Sequence, residues 1–438
     1  MKKSALLCVL LMGCCAAGCG AITQAPQTQG QIPPKDAAQP VAAAVPSTIG
    51  QFALFQQAMA RVRASYVRPV EDGELIDGAI QGMVSGLDPH SSYLNAKAYS
   101  NTLTATTGQF GGVGLVMEPD GGLIKVITAK DGAPAAKAGI KAEDKISAID
   151  GVSVDGMDFN EAIDKLRGAP GSNVTVAILR QDNKRPLDVP MVRAIVSVDA
   201  VSWRREGNIG YVRVPGFNEK TADGLEKAVR DLKKQIGPAL QGYVLDLRNN
   251  PGGLVDQAVK VSDDFLDAGE IVSIRGRNAE NVQRYSAREG DISGGKPIVV
   301  LINAGTASAS EIVSGALQDN KRATIIGMTS YGKGSVQTNL PLGVGMGALH
   351  LTTGRYFTPS GHSIQARGII PDIQVAQGDE TAATKEANLR KHMAGEAAAE
   401  QISAPVIKPE AGKTYDDFQL SYAKDLLRDG AGGTVSQR

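Results

Sequence analysis

Apolar strands alternate with helical segments along the second half of the chain. Each expected strand is a short run rich in Val, Ile and Leu, bounded by turn residues. In chain order, beginning with a strand, the expected elements are Ile209–Val214, Thr221–Ile236, Tyr243–Leu247, Leu254–Leu266, Ile298–Ile302, Glu311–Leu317 and Thr324–Ile326. Strands that alternate with helices predict an α/β fold with a largely parallel sheet over residues 196–376.

In the region before this core, the spacing of apolar residues is first helical and then typical of strands. Over residues 50–104, apolar residues at three-to-four spacing predict two helices, one carrying Phe52 to Tyr66 and one carrying Leu75 to Val84. Over residues 105–195, short strands with turns are expected, interrupted by two helical patches. The strands are Val113–Val116, Leu123–Ile127, Lys145–Ile149 and Val174–Leu179, and the helical patches are Pro134–Ala138 and Phe159–Leu166.

The N-terminus has the pattern of an export signal. Two lysines precede an apolar run from Ala5 to Met12 and then small residues, which predicts a signal peptide over residues 1–19, too short to span a membrane. All four cysteines lie in this segment, so the rest of the chain has no disulfide, Cys-ligated zinc site or cysteine nucleophile. The small residues before Cys19 fit a bacterial lipobox. Cys19 is the expected lipidation site, with Cys14 or an ordinary signal peptide as alternatives.

The composition distinguishes the N-terminal and C-terminal regions from the core and argues against a nucleic-acid partner. Residues 20–49 contain five prolines, five glutamines and no aromatic residue, which predicts an extended, disordered tether. Residues 377–438 are polar apart from one expected helix carrying Phe418 to Leu427. That helix and the N-terminal apolar stripe could each serve the core or a homodimer. Lys+Arg and Asp+Glu are each 46 and aromatics are 4%, which argues against nucleic-acid binding.

A serine stands where the strand Ile298–Ile302 turns into the next helix. Ser308–Glu311 matches a capping box, which would by itself explain the serine as a helix cap. The apolar strand before it and the small residues around it favour a chemical role, because a substrate backbone can approach closely. A second glycine-rich turn contains Gly252 and Gly253, whose amides could form an oxyanion hole with that of Ala309. A plain turn is the alternative there.

Lys333 lies in a glycine-rich turn that a core fold could bring back to Ser308. A serine paired with a lysine is a known variant of serine-nucleophile catalysis. As a general base the lysine must be largely neutral near pH 7, which requires burial or a nearby positive charge. Gln337 could orient the amine without restoring its proton affinity. Residues Gly327 to Lys333 also match a phosphate-binding loop, but Gly334 stands where that motif needs Ser or Thr.

A histidine base and a metal are the competing chemistries. The four histidines are His90, His350, His362 and His392, at positions where structural or solvated roles are common. No HExxH motif occurs, so zinc hydrolysis has no support from the sequence. No metal and no organic cofactor is expected.

Several segments together resemble the carboxyl-terminal processing peptidases of the S41 family, the tail-specific protease group. These segments are Leu75–Leu94, Asp246–Gly253, Thr306–Glu311, Tyr331–Gln337, Tyr356–Gly361 and Gly368–Asp372. The resemblance implies that Ser308 is the nucleophile, Lys333 the general base and Gln337 the orienting residue, with oxyanion donors near Gly252 and Ala309. It also implies a crotonase-like α/β peptidase core with an inserted PDZ domain.

Residues 105–195 carry the PDZ resemblance. The carboxylate-binding loop, whose backbone amides would converge on a terminal carboxylate, maps to Gly111, Gly112, Val113 and Gly114. A substrate C-terminus would add as an extra strand, with its last side chain facing a pocket lined by the helix Phe159–Leu166. Arg167 is a candidate sensor that would reach toward Gln337 when the PDZ domain docks. Glu143 stands where a glycine is usual, which weakens the expected turn there.

The sequence therefore predicts a lipid-anchored serine endopeptidase on the periplasmic side of a bacterial cell envelope. It would recognise protein C-terminal tails and cleave them through an acyl-enzyme, with the membrane as its second partner. One rival is a non-catalytic PDZ adaptor with an inactive core, which would keep its phenotype without Ser308. The other is a crotonase-type acyl-CoA enzyme, which the export signal disfavours because CoA thioesters are cytosolic.

Overall fold

The computed structural model describes residues 48–180, 183–197, 199–278, 280, 282–378, 385–395, 405–410 and 412–430. The expected signal peptide with Cys19, and nearly all of the tether, lie outside these residues. The chain divides into two compact units, Met1–Pro69 and Val70–Arg438. Helix α1 (Thr48–Ser65) belongs to the first unit, and its apolar residues Phe52, Phe55 and Val62 are exposed. Among the described residues, no helix is long and apolar enough to cross a membrane.

The second unit begins with two helices and a short strand. In chain order these are α2 (Asp72–Ser85), β1 (Ser92–Leu94) and α3 (Ala96–Thr107). Helix α2 ends at Ser85 and is capped by Gly86, shortly before Asp88-Pro89, where the residue before proline disfavours helix. Strand β1 pairs antiparallel with a core strand, which fixes the segment between α2 and β1 against the core.

The strand-rich domain follows. Its elements are β2 (Gln109–Gly112), β3 (Leu115–Asp120), β4 (Leu123–Ala129), α4 (Pro134–Lys137), β5 (Lys145–Ile149), β6 (Val152–Ser153), α5 (Phe159–Leu166), β7 (Asn173–Arg180), β8 (Asn183–Val192) and β9 (Ala194–Ser197). Strands β3, β4, β5, β7 and β8 form one antiparallel sheet in that order, with β6 on β5, while β2 pairs with β9. Among the described strands, edge strand β3 pairs only with β4. Glu143 adopts φ 70°, so the turn expected to prefer glycine is strained.

The α/β core comes next. Its elements are β10 (Ser202–Glu206), β11 (Ile209–Arg213), α6 (Thr221–Ile236), β12 (Gly242–Asp246), α7 (Val255–Asp263), β13 (Glu270–Gly276), β14 (Val282–Ser286), β15 (Ile298–Ile302), α8 (Ala309–Asp319), β16 (Thr324–Gly327), β17 (Ser335–Pro341), β18 (Ala348–Phe357), β19 (Ile373–Gln374) and α9 (Phe418–Arg428). The six-stranded sheet has the order β10-β11-β12-β15-β16-β19 and is parallel from β11 onward. The predicted α/β architecture is confirmed.

Both faces of this sheet are covered by helices. Helices α6, α7 and α8 pack on one face, where Leu225, Val261 and Ile312 meet alternate residues of the strands. Helix α9 packs on the other face through Phe418 and Leu427. The terminal helix, for which the sequence left core and homodimer open, therefore covers the core sheet.

The sheet topology places three glycine-containing loops at the same end of the parallel strands. Strands β12, β15 and β16 are parallel neighbours, so the loops after Asp246, Ile302 and Gly327 leave the same end of the sheet. A second, antiparallel sheet has the order β1-β18-β13-β14, and β17 pairs with β18. Strands β17 and β18 of this sheet carry further residues of the site. The three loops hold Gly252, Ser308 and Lys333.

Candidate active site

Ser308 occupies the junction between β15 and α8 in a strained conformation. Its φ of 57° is a left-handed value that non-glycine residues rarely adopt. The turn is held because Ala307 N–H donates to the Asn250 carbonyl (2.9 Å) and the Thr306 hydroxyl donates to the Leu247 carbonyl (2.8 Å). The sharp turn leaves Ser308 9% exposed at the start of the helix.

Glu311, the fourth residue of the capping-box motif, joins Ser308 to the lysine loop. Its Oε2 accepts hydrogen bonds from the N–H groups of Ser308 (2.8 Å) and Lys333 (2.9 Å). Its Oε1 accepts from the N–H of Gly332 (2.7 Å) and from the Ser330 hydroxyl. Burial raises the pKa of Glu311 to about 7, although these four hydrogen bonds favour the ionised form. One buried carboxylate thus brings the backbones of the predicted nucleophile and base together.

The burial of Lys333 favours the neutral amine that a general base requires. Burial lowers the pKa of Lys333 below its usual range, while the carboxylates of Glu386, Glu311 and Asp88 oppose that shift. Within the described part of the chain, its side-chain nitrogen makes no hydrogen bond or ion pair, either with Ser308 or with any other residue. No described side chain therefore competes with a substrate or with Ser308 for this amine.

Gln337 lies on β17 and belongs to a polar network rather than to Lys333 directly. Its Nε2 donates to the hydroxyls of Ser335 (3.0 Å) and Thr352 (3.1 Å). The Thr352 hydroxyl donates in turn to Asp88 (3.1 Å), which also accepts from the Ser91 hydroxyl (2.7 Å). The segment between α2 and β1, predicted only as a family motif, thus supports the wall of the site.

The two oxyanion glycines differ in their availability. Gly252 N–H donates to Asn250 Oδ1 (2.8 Å), so it is already engaged. No hydrogen bond is formed by the N–H of Gly253 or of Ala309 within the described residues. A Cβ on Gly252 would lie 2.8 Å from the Ser308 Cβ and 2.9 Å from the Ala309 nitrogen. Gly252 therefore permits the close approach of the two loops, and Gly253 and Ala309 are the available donors.

A buried residue of the C-terminal region, Glu386, also reaches this site. It is 0% exposed and accepts from Gln365 Nε2 (2.9 Å), whose own Oε1 accepts from Gly334 N–H (3.0 Å). His90 Nε2 lies 2.7 Å from its other oxygen. Burial opposes ionisation, but the hydrogen bonds from His90 and Gln365 lower the pKa of Glu386. Composition alone placed Glu386 in a polar extension, so the sequence reasoning missed it.

Tyr356 is the second residue that the sequence reasoning missed. Its hydroxyl lies 2.6 Å from the Ser308 hydroxyl, and the residue is 1% exposed on β18. Burial raises the pKa of Tyr356 well above its usual value, so the phenol stays protonated. The only available signal was its place inside the family motif Tyr356–Gly361.

The competing chemistries find no geometric support in the described residues. His90 pairs with Glu386, His350 Nδ1 lies 2.7 Å from Asn339 Oδ1, and His362 and His392 bond to Ser360 and the Leu389 carbonyl. Among the described residues none of the four histidines hydrogen-bonds to Ser308, and no group of three or more His, Cys, Asp or Glu side chains is arranged to hold a metal.

The strand-rich domain contains a groove beside edge strand β3. A cavity of about 170 Å³ is lined by Val113, Gly114 and Leu115 on one side and by Phe159, Ile163 and Leu166 of α5 on the other. Gly111 and Gly112, the first two residues of the predicted carboxylate loop, lie in β2 opposite Ile195 and Ala194 of β9. The free edge of β3 and the apolar groove are the two features that strand addition by a peptide requires.

Arg167 lines this groove, beside Phe110 of the strand-rich domain. Its guanidinium carbon is 5.2 Å from the centroid of the Phe110 ring. Gln337 is engaged with Ser335 and Thr352. The structure does not bring Arg167 and Gln337 together, and their contact remains a prediction.

Comparison with known proteins adds independent evidence. The model of peptidase family S41 matches residues 208–375, a PDZ domain model matches 125–180, and the N-terminal domain of the activating protease CtpB matches 12–98. The carboxy-terminal-processing protease of Bartonella bacilliformis is 49% identical over 87% of this chain and 89% of its own length. The carboxy-terminal processing protease CtpA of Bacillus subtilis is 36% identical over 75% of this chain and 70% of its own.

Solved structures include a photosystem II D1 C-terminal processing protease. It is similar over 73% of this chain and 86% of its own, with 33% identity and a TM-score of 0.43. The near-full-length relationship to the Bartonella protein covers the peptidase core and the PDZ domain alike. This chain belongs to the S41 peptidase family, in the group of carboxy-terminal-processing proteases, which are serine peptidases.

Proposed function

We propose that this chain is an exported serine endopeptidase that binds protein C-terminal tails through its PDZ domain and cleaves them with a Ser308–Lys333 dyad. The carrying observation is that one Glu311 oxygen accepts from the backbone N–H groups of both residues. A buried carboxylate that fixes both backbones supports a preorganised pair. The lowered pKa of Lys333 supports its role as the base.

The reaction would proceed through an acyl-enzyme. Ser308 Oγ attacks the peptide carbonyl carbon while its proton moves to the Lys333 amine. The carbonyl oxygen becomes an anion, for which the N–H groups of Gly253 and Ala309 are the available donors. Lys333 then gives its proton to the leaving amine, the C–N bond breaks, and an ester remains on Ser308. Water, deprotonated by Lys333, hydrolyses that ester and regenerates the serine.

Substrate capture would use the groove between β3 and α5. An extended C-terminal tail can pair with the free edge of β3 and place an apolar last side chain against Phe159, Ile163 and Leu166. The terminal carboxylate would meet the loop of Gly111 to Gly114. We also propose, from the sequence alone, a lipid anchor at Cys19, a periplasmic location and a homodimer. Mass spectrometry of the membrane fraction tests the anchor, and an unmodified N-terminus would exclude it.

The decisive test compares the wild type with Ser308→Ala and Lys333→Ala on an unfolded protein that ends in small apolar residues. We expect both variants to lose cleavage by at least about 1,000-fold. The control is Lys234→Ala, which removes an exposed lysine of α6 and should leave the rate unchanged. Cleavage that survives in Ser308→Ala would refute the assignment of the nucleophile. The same variant decides against a PDZ adaptor, which would keep its phenotype without the serine.

A further inference from the structure

We propose that Tyr356 is a positioning residue for Ser308, because its hydroxyl donates a hydrogen bond that fixes the serine oxygen and leaves the serine proton for Lys333. The inference rests on the proposed function, in which Ser308 is the nucleophile. The two hydroxyl oxygens lie 2.6 Å apart, at the short end of the range for O–H···O hydrogen bonds.

Tyr356 contacts both the lysine loop and the serine of the dyad. Strand β18 pairs with β13 and β17, and the Tyr356 ring is part of the main hydrophobic core. Its N–H donates to the carbonyl of Gly334 (3.0 Å), the residue after Lys333. Its backbone therefore anchors the lysine loop while its side chain reaches the serine. Ser308 is itself fixed by its strained backbone and by Glu311. Neither oxygen can move far without breaking these contacts.

The pattern of donors decides the direction of this hydrogen bond, although its geometry fits either hydroxyl as the donor. Within the described residues, Ser308 is the only hydrogen-bond partner of the Tyr356 hydroxyl. If the serine donated, the phenol proton would be buried without an acceptor, which is costly. If the tyrosine donates, the buried phenol proton has an acceptor, and the proton of Ser308, which is 9% exposed, stays free for transfer to Lys333.

The phenol is a donor and not a second base. Burial raises the pKa of Tyr356, and the negative charges of Glu311 and Glu386 act in the same direction. During acylation the serine O–H bond breaks, its proton moves to Lys333, and charge builds on Oγ, which the phenol hydrogen bond stabilises. During deacylation the bond between the acyl carbon and Oγ breaks, and the same donor stabilises the departing oxygen until Lys333 returns the proton.

The test is Tyr356→Phe, which removes the hydroxyl and keeps the ring. Two readouts are used: kcat and KM for a peptide substrate, and the rate at which a fluorophosphonate probe labels Ser308, followed by intact mass. We expect kcat and the labelling rate each to fall about 10- to 100-fold, and KM to change less than about 2-fold. Rates equal to or above those of the wild type would overturn the proposal, since the contact would then be neutral or a restraint.

Tyr243→Phe provides a matched control. Tyr243 is also 1% exposed in the same core, and its buried hydroxyl has no hydrogen-bond partner among the described residues. This variant removes a buried phenol hydroxyl without touching Ser308, so both rates should stay within about 2-fold of the wild type. A loss in Tyr243→Phe as large as in Tyr356→Phe would overturn the proposal, because the effect would then be one of core packing.

A second substitution keeps the hydroxyl and so protects the test against misfolding. Replacement of Tyr356 by 3,5-difluorotyrosine makes the phenol more acidic, and a phenolate cannot donate. The labelling rate of this variant should therefore begin to fall at a lower pH than that of the wild type. An unchanged pH profile would overturn the proposal. If Ser308→Ala is as active as the wild type, the proposed function fails with it. If Ser308→Ala is inactive and Tyr356→Phe is normal, only the role of Tyr356 fails.

Discussion

Replacement of Glu311 by glutamine should weaken both the fold and the dyad, because an amide cannot accept all four of the hydrogen bonds that this carboxylate accepts. Four donors converge on Glu311: the N–H groups of Ser308, Gly332 and Lys333, and the Ser330 hydroxyl. The Ser330 oxygen already accepts from the N–H of Ile369. Glutamine offers one oxygen and one NH₂ group, so at least one backbone N–H must face another donor.

The magnitude follows from counting the better of the two amide orientations. With the NH₂ group in place of Oε1, the Gly332 N–H and the Ser330 hydroxyl proton both lack an acceptor, which costs about 1–3 kcal/mol each in a buried site. The bonds from Ser308 and Lys333 remain but lose the charge assistance of the carboxylate, about 1 kcal/mol each. These losses amount to about 4–8 kcal/mol, and glutamine avoids the roughly 3 kcal/mol by which the raised pKa of Glu311 disfavours its buried charge, so the free energy of unfolding of Glu311→Gln should fall by about 1–5 kcal/mol.

The assay is denaturant unfolding at about pH 8.5, above the Glu311 pKa of about 7, so that the wild-type carboxylate is charged. Peptidase activity is measured on the same samples under native conditions and should fall with the loss of the shared contact. Glu289→Gln makes the same chemical change at an exposed glutamate and should alter stability by less than about 0.5 kcal/mol. If Glu311→Gln unfolds within that same margin of the wild type, the four hydrogen bonds do not have the importance assigned to them.

Three further variants address the charge and the sterics of the core. Glu386→Gln removes a negative charge that raises the pKa of Lys333. The neutral amine should then form at lower pH. The rising limb of the pH profile of kcat/KM should therefore move to lower pH, not higher. Burial and nearby acidic groups raise the pKa of Asp264 from 3.8 to about 7, so this group should cost the wild type up to about 4 kcal/mol of stability as pH rises through this window. Asp264→Asn should lose correspondingly less, since of these two groups only Glu311, with its own raised pKa of about 7, is common to both proteins, and parallel stability curves across that range would exclude the effect. Gly252→Ala places a Cβ 2.9 Å from a backbone nitrogen at φ 103° and should lower kcat at least about 10-fold, whereas Gly295→Ala, at φ 72° with open space, should leave kcat unchanged.

The elements that the sequence predicts best have a clear apolar pattern, either a strand buried on both faces or a helix with one buried face. The strand Ile298–Ile302 and the helices Thr221–Ile236 and Phe159–Leu166 have the predicted bounds. Strand β8 (Asn183–Val192) was not predicted, because its two prolines and its charged residues hide its alternating pattern. Strand β18 was not predicted either, and with it Tyr356, whose partner Ser308 is 48 residues away in the sequence.

The site residues divide in the same way. Ser308 and Lys333 stand in local turns of recognisable composition, so their roles can be hypothesised from sequence. Glu386 cannot, because its surroundings in the sequence are polar and its burial depends on His90 and Gln365. A single buried glutamate is invisible to composition, since only the folded chain brings its partners together.

The protonation state of Lys333 depends on two segments that are distant from it in the sequence. The nucleophile is shaped by its own turn and by Glu311 three residues later, whereas the pKa of Lys333 also depends on Asp88, before β1, and on Glu386, in the C-terminal region. Burial lowers that pKa and the carboxylates raise it, so any displacement of the two distant segments shifts the balance. A displacement that removes the carboxylates without admitting water lowers the pKa of Lys333 further and favours the neutral amine. A displacement that admits water raises this pKa and restores the ammonium form. Perturbations in these segments should therefore change the pH dependence of cleavage before they change the geometry around Ser308.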